Sequence, residues 1–329
     1  GGILFGAAIS SGFSSLVEPS FRATISDLLE KEEYTKASGM VQLIPASRYL
    51  LSPILSGLIL SFAGIRMVLM LDILTILITL PITYIVRREM RGIPRGEGTK
   101  LAEDLSLGFH LIYDKKGLWL LVMLGILVSF CLGTVQTLMI PMLLPFGGES
   151  FAGFATTVSA CGMLVGGLIL SRFSIKKDFS HILQASLLGM GFFMAAFAWG
   201  NNEIVICGFG FCLFMSLPFA NAAMDYLVRV NVATTHQGKA WGLISLISQA
   251  GYVLAYALTG VAVDFIIKPF LQKEGNAAKF ALNIPGRGEG RGAALMIIIA
   301  AVFLMFIALT LPRKSEIREL EEENVLEIA

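Results

Sequence analysis

Long uninterrupted apolar runs alternate with short charged segments along the whole chain. Nine of these runs approach or exceed the ~20 residues that a helix needs to cross about 30 Å of hydrocarbon. They cover residues 3–25, 40–62, 67–86, 118–144, 151–170, 182–199, 204–228, 240–267 and 293–311. Because the apolarity is continuous, it favours helices over the alternating strands of a membrane barrel. The pattern therefore predicts an all-α polytopic membrane protein with nine transmembrane helices.

One stretch of the pattern occurs twice. Residues 36–60 align without a gap to residues 239–263 and share nine identical residues with them, including Gly39 with Gly242 and Tyr49 with Tyr252. Each copy leads from a charged segment into a long apolar one. An internal repeat of this kind is typical of transporters built from two related halves.

The positive charges set a predicted orientation. If the residues after the ninth run are cytoplasmic, the inner loops and helix ends hold 18 Lys and Arg side chains and the outer side holds six. Such a bias marks the cytoplasmic side. Residues 87–117, rich in charge, Gly and Pro, have the composition of a linker between the halves.

Composition excludes several other classes of protein. With 55% hydrophobic and 15% charged residues and a mean hydropathy of +0.76, the chain has more apolar surface than a soluble fold can bury. A net charge of +1 indicates no nucleic-acid partner. The four cysteines lie inside apolar runs, without disulfide or zinc spacing. We find no pattern of catalytic residues, and we expect neither an enzyme nor a metal or cofactor.

Ionisable side chains inside the apolar runs are the first functional candidates, because a charge in hydrocarbon costs at least ~2.5 kcal/mol. Glu18 and Arg48 lie about 15 Å from the inner ends of adjacent runs, so they could pair across adjacent antiparallel helices. Glu18 with Arg22, and Asp225 with Arg229, are spaced i, i+4 in corresponding helices of the two halves. We predict Glu18 first and Asp225 second as proton carriers, with the arginines as charge partners. The alternative is that these groups are static ion pairs or interfacial charges.

Uncharged polar residues in the runs suggest where a ligand could bind. Gln136, Asn221 and Gln249 are candidates for hydrogen bonds to a substrate in a central cavity. Polar contacts between helices would explain the same residues.

The loop after the fifth run has a distinctive basic pattern. Gly167, Arg172, Lys176 and Lys177 match a motif that follows the second helix of each half in a large transporter family, with Ser171 where that motif has an acid.

Two further segments match the same family. Pro53 and Gly57 stand in a partial match to the proline and glycine motif that exporters carry in their fifth helix, and residues 221–240 are similar to the turn between the tenth and eleventh helices. Together the motifs and the repeat resemble the Major Facilitator Superfamily, most closely its bacterial multidrug and macrolide exporter branch.

The resemblance implies a twelve-helix fold of two bundles, of which these nine would be the fourth to the twelfth helices, the first three being absent. It divides the chain into a first-bundle remainder (1–87), a cytoplasmic linker (88–117), a second bundle (118–312) and a cytoplasmic tail (313–329). The expected function is proton-coupled export of a drug-like or amphiphilic molecule across the cell membrane, by a monomer in the lipid bilayer. The alternatives are an incomplete or non-transporting protein of the same fold, or an uptake permease.

Overall fold

The computed structural model describes residues 33–89, 101–173, 178–272, 290–311, 317 and 319–321. Helices account for nearly all of these residues, and no strand occurs among them. In chain order the helices are α1 (Tyr34–Glu89), α2 (Leu101–Tyr113), α3 (Lys116–Arg172), α4 (Phe179–Trp199), α5 (Glu203–Asn231), α6 (Thr234–Ala262), α7 (Lys268–Leu271) and α8 (Gly290–Thr310). A π-helical turn, Val263–Ile267, joins α6 to α7.

Glycines break the two longest helices into two spans each. Gly64 in α1 has φ 69°, and Gly148 in α3 has φ 68°, a left-handed conformation that glycine adopts without a Cβ clash. The break at Gly64 lies between the second and third predicted runs, 40–62 and 67–86. Eight of the nine predicted segments thus lie in helices, while the first, 3–25, lies outside the described residues.

Several of these helices can span a membrane. Within the described ranges, five stretches are long and apolar enough to cross one, and Leu69–Ile82 is a shorter apolar stretch. Large apolar side chains, among them Phe303 and Phe306 of α8, are exposed on the outside of the bundle, as expected for surfaces that meet lipid. The predicted all-α polytopic membrane fold is confirmed.

The helix that contains the predicted run 240–267 extends beyond the end of that run. The helix continues through the π-helical turn into α7, and Lys268 forms a 2.9 Å ion pair with Asp264 one turn earlier. Both side chains are well exposed. Asp264 is therefore a charge at the helix end rather than a buried functional group.

Glycines allow the helices of the second half to approach closely. A Cβ on Gly162 of α3 would collide with the carbonyl oxygen of Phe211 in α5, and one on Gly251 of α6 would collide with that of Ile126 in α3. Small residues at crossings let helix backbones pack tightly in membranes, where lipid removes the hydrophobic drive for association. These two contacts fix α5 and α6 against the two spans of α3.

The predicted linker contains a helix that the sequence analysis did not anticipate. In α2, Gly108 and Ile112 are buried, and a Cβ on Gly108 would lie 2.9 Å from the carbonyl oxygen of Lys239 at the start of α6. The spacing of Leu105, Gly108 and Ile112 places them on one helix face. The second part of the linker is thus an amphipathic helix docked on α6.

The predicted cytoplasmic tail docks onto the bundle. Ile317 and Leu320 are buried. The side-chain amide of Asn231, at the end of α5, donates a 2.9 Å hydrogen bond to the carbonyl oxygen of Leu320. This part of the tail therefore belongs to the packed structure.

Candidate functional site

Three side chains, Gln136, Tyr252 and Tyr256, meet between α3 and α6, and Gln249 follows on the same face of α6. We call these four residues the polar seam. The hydroxyl group of Tyr256 donates a 2.8 Å hydrogen bond to Oε1 of Gln136. The rings of Tyr252 and Tyr256 lie 6.0 Å apart. Gln249, Tyr252 and Tyr256 follow an i, i+3, i+7 spacing, so they occupy one face of α6 over about 10 Å. Two predicted site residues, Gln136 and Gln249, thus belong to the same strip.

The seam runs along the edge of the packed contact between α3 and α6. Gly251, Ala255 and Thr259 are buried, and a Cβ on Gly133 of α3 would lie 2.7 Å from that of Ala255. By contrast, Gln249 and Tyr256 are exposed. Polar groups are unfavourable against lipid tails and are found where a membrane helix faces protein or a water-filled cavity. The exposed part of the seam is therefore suited to line an aqueous substrate path.

A second polar group lies on α5. Asn221, Asp225 and Arg229 follow one another at intervals of four residues, so they share a helix face. Asp225 and Arg229 are buried, at 4% and 3% exposure, whereas Asn221 is half-buried. Under the predicted orientation this group runs towards the cytoplasmic end of α5.

Arg229 lies between two aromatic rings. Its guanidinium carbon is 5.3 Å from the centre of the Trp241 ring and 5.6 Å from the centre of the Tyr34 ring. Both distances are within the ~6 Å range of a cation–π interaction. We call these three residues the arginine cage. Tyr34 begins α1, in the predicted first half, while Arg229 and Trp241 belong to the second half, so the cage joins the two.

The turn beside the cage is held by Gln237. Its side-chain amide donates hydrogen bonds of 2.9 Å to the carbonyl oxygen of Arg229 and 3.1 Å to that of Val232. Carbonyl groups at the C-terminus of a helix lack the following N–H donors that the helix would supply, and the Gln237 amide provides donors there. The segment 221–240, which supported the family resemblance, therefore owes its shape partly to this glutamine.

A close backbone contact lies near the arginine cage. A Cβ on Gly39 of α1 would lie 2.7 Å from the backbone nitrogen of Ser171 and 3.0 Å from the carbonyl oxygen of Gly167 in α3. One on Gly167 would lie 3.0 Å from the Leu43 side chain. Gly167 of the basic-loop motif is thus part of the contact between the halves. Arg172, from the same motif, is exposed in the last turn of α3, and Lys176 and Lys177 lie outside the described residues.

Several predicted site residues cannot be placed. Glu18 and Arg22 lie outside the described residues. Arg48, Pro53 and Gly57 lie in α1, but at these positions the structure describes only the helical backbone. The pairing of Glu18 with Arg48 therefore remains a prediction.

Several residues of these sites were not predicted from the sequence: Tyr34, Trp241, Gln237, Tyr252 and Tyr256. The i, i+3, i+7 spacing from Gln249 to Tyr256 is a local signal that could have indicated the seam. No local signal indicates the partners of Arg229, since Tyr34 lies far away along the chain. Among the described residues, no group of three or more His, Cys, Asp or Glu side chains is placed to hold a metal ion.

Apolar spanning helices packed through glycines, a polar strip on one helix face and buried charges at helix ends define a polytopic membrane protein of the transporter type. The family model of the Major Facilitator Superfamily matches residues 2–256. The chain belongs to this family. It is a multi-pass membrane protein, and its family is a family of transport proteins.

Curated relatives include bacterial efflux proteins. Macrolide efflux protein A of Streptococcus pyogenes is 24% identical to this chain over 274 residues, which cover 80% of the chain and 66% of the relative. The protein of the same name from Enterococcus faecalis is 24% identical over 249 residues, which cover 73% of the chain and 75% of the relative. The chain thus spans slightly less than two thirds of the streptococcal protein. No solved structure matches the chain.

Proposed function

We propose that this chain acts in secondary active export of an amphiphilic small molecule, with macrolides as the first class to test. The observation that carries the proposal is the polar seam, which presents Gln249 and two tyrosines on one face of α6 and Gln136 on the facing α3. The names of the two efflux relatives support both the direction and the substrate class.

The chemistry of the seam suits a large molecule with scattered hydroxyl and carbonyl groups on an apolar skeleton. Tyr256 and Gln136 can exchange their mutual hydrogen bond for hydrogen bonds to a ligand, which limits the cost of desolvating them. The neighbouring Tyr252 ring offers an apolar face. A ligand of this kind can be bound mainly by uncharged side chains, and all four seam residues are uncharged.

Transport would follow the alternating-access scheme of two-bundle transporters, in which the halves rock about a site near the membrane midplane. We propose that protons drive it, with Glu18 and Asp225 as the carriers. Support for Asp225 comes from its burial and from the i, i+4 spacing that puts Arg229 one turn later on the same face of α5.

The test is accumulation of a labelled macrolide in bacterial cells that lack their own macrolide exporters. Cells that express the chain should hold less of the compound than cells with the empty vector, and a protonophore should abolish the difference. Increased accumulation would favour the uptake permease instead. Unchanged accumulation, with the chain present in the membrane, would favour the non-transporting or incomplete protein.

A further inference from the structure

We infer that the arginine cage is the inner gate of the transport cycle: Arg229, held between Tyr34 and Trp241, closes the cytoplasmic side by joining the two halves. The inference rests on the proposed function, because a gate has meaning only if the halves separate. It makes Tyr34 and Arg229 positioning residues, which act on conformation and need not touch the substrate.

The first support is the position of the cage. Tyr34 is the first residue of α1, and Arg229 is in the last turn of α5, so the contact joins helix ends on the predicted cytoplasmic side. Trp241 is in the same half as Arg229. The contact between Arg229 and Trp241 can therefore persist when the halves separate, while the contact between Arg229 and Tyr34 cannot.

Burial of the cage is the second support. Tyr34, Arg229 and Trp241 are exposed by only 5%, 3% and 3%. A cation–π interaction strengthens when both partners are desolvated. A cationic group this deeply buried therefore stabilises the closed arrangement only while the Tyr34 ring, which belongs to the other half, stays in place.

A second contact between the halves supports the same interpretation independently. Gly39 approaches the backbone of Ser171 and Gly167 so closely that a Cβ cannot be accommodated without a shift. Such an approach requires the inner ends of α1 and α3 to be in contact. Alternating access requires such ends to part when the inner side opens, so the cage and the glycine contact should break together.

The experiment measures the distance between the halves in the full chain in lipid nanodiscs. Spin labels are placed at Met40 and Phe173, both exposed and next to Gly39 and the end of α3, after replacement of the four native cysteines. We expect a short distance to dominate. Tyr34→Leu should increase the longer-distance population roughly tenfold, because it removes one cation–π partner, and Tyr34→Phe should change it far less, because it keeps the ring.

Trp241→Leu is the matched control, because it removes the same kind of contact within one half. It should leave the distance distribution close to that of the original chain. If Tyr34→Leu leaves the distribution unchanged, the gate is refuted. The same conclusion follows if Trp241→Leu lengthens the distance as much as Tyr34→Leu, since the effect would then be general loosening.

A second pair of variants tests the gate without touching the cage. Gly39→Ala should also favour the longer distance, because its Cβ would lie 2.7 Å from the Ser171 nitrogen. Gly153→Ala in α3 should not, since its Cβ would meet no described atom within 4 Å. An unchanged distance in Gly39→Ala would count against the inner contact. The distances are read without any substrate, so failure of the macrolide assay alone refutes the export proposal, and failure of the distance changes refutes the gate.

Discussion

Glu321 and Ser180 are joined by two hydrogen bonds, although they are 141 positions apart in the sequence. The backbone nitrogen of Ser180 and its hydroxyl group donate to the same carboxylate oxygen, at 3.1 and 2.8 Å. The nitrogen of Phe179 donates to the other oxygen at 2.8 Å. The tail thus supplies the N-terminal cap of α4, and a negative group at this end also complements the helix dipole.

Removal of this cap should destabilise the second half. We expect Glu321→Ala to lower the free energy of unfolding by about 1–2 kcal/mol and Glu321→Gln to lower it by less. Thermal unfolding in detergent, followed by the helical signal, measures the change. Glu319→Ala is the matched control, because Glu319 is exposed in the same tail segment; an equal loss in both variants would contradict the capping role.

The hydrogen bond between Tyr256 and Gln136 should contribute to substrate handling. We expect Tyr256→Phe and Gln136→Leu each to weaken macrolide export, and the double variant to lose less than the sum of the two. Hydrogen bonds between membrane helices couple by about 0.6 kcal/mol, which corresponds to a factor of roughly three in transport rate or affinity. The measurement is initial export rate against substrate concentration.

Tyr84→Phe provides the control for this pair. Tyr84 is an exposed tyrosine of α1, and loss of its hydroxyl group should leave export unchanged. Fully additive losses in the double variant would show that the two seam residues act independently.

Close helix packing in the second half depends on glycine. We expect Gly162→Ala to lower the free energy of unfolding by about 1–3 kcal/mol, the usual cost of overpacking, because its Cβ would collide with the carbonyl oxygen of Phe211. Gly208→Ala in α5 is the matched control, since its Cβ would meet no described atom within 4 Å and alanine favours the helix. Unfolding of both variants in the same detergent tests the difference, and equal stabilities would contradict the packing argument.

Asp225 should couple transport to the proton gradient. We expect Asp225→Asn to lose gradient-driven export while keeping movement of substrate down its own gradient. The asparagine amide can still form hydrogen bonds at this position, but it cannot carry a proton. Vesicles with and without an imposed pH difference measure the two activities separately.

The control for Asp225 is Asp264→Asn. Asp264 is exposed at the opposite end of the second half and pairs with Lys268, so its loss should leave both activities intact. Gradient-driven export that survives in Asp225→Asn would assign Asp225 a structural role with Arg229.

The membrane-spanning architecture follows from local information. About 20 consecutive apolar residues suffice to define a spanning helix whatever surrounds them, so the predicted segments match the helices wherever the structure describes them. The break at Gly64 also follows from local information, because it lies between two apolar runs. In α2, however, apolar spacing was hidden by the charged composition of the linker, and the helix was missed although Leu105, Gly108 and Ile112 carry its period.

The sequence by itself determined the fold class, the spans, the repeat and the individual polar residues such as Gln136, Gln249 and Asp225. Only the tertiary structure decided which distant residues meet: Tyr256 with Gln136 across 120 positions, Arg229 with Tyr34, and Glu321 with the start of α4. The physical reason is that the two kinds of interaction act over different separations along the chain. Hydrophobic transfer acts residue by residue along one helix, whereas hydrogen bonds and cation–π contacts depend on how separate helices pack, and that packing is set by steric details such as the glycine at position 39.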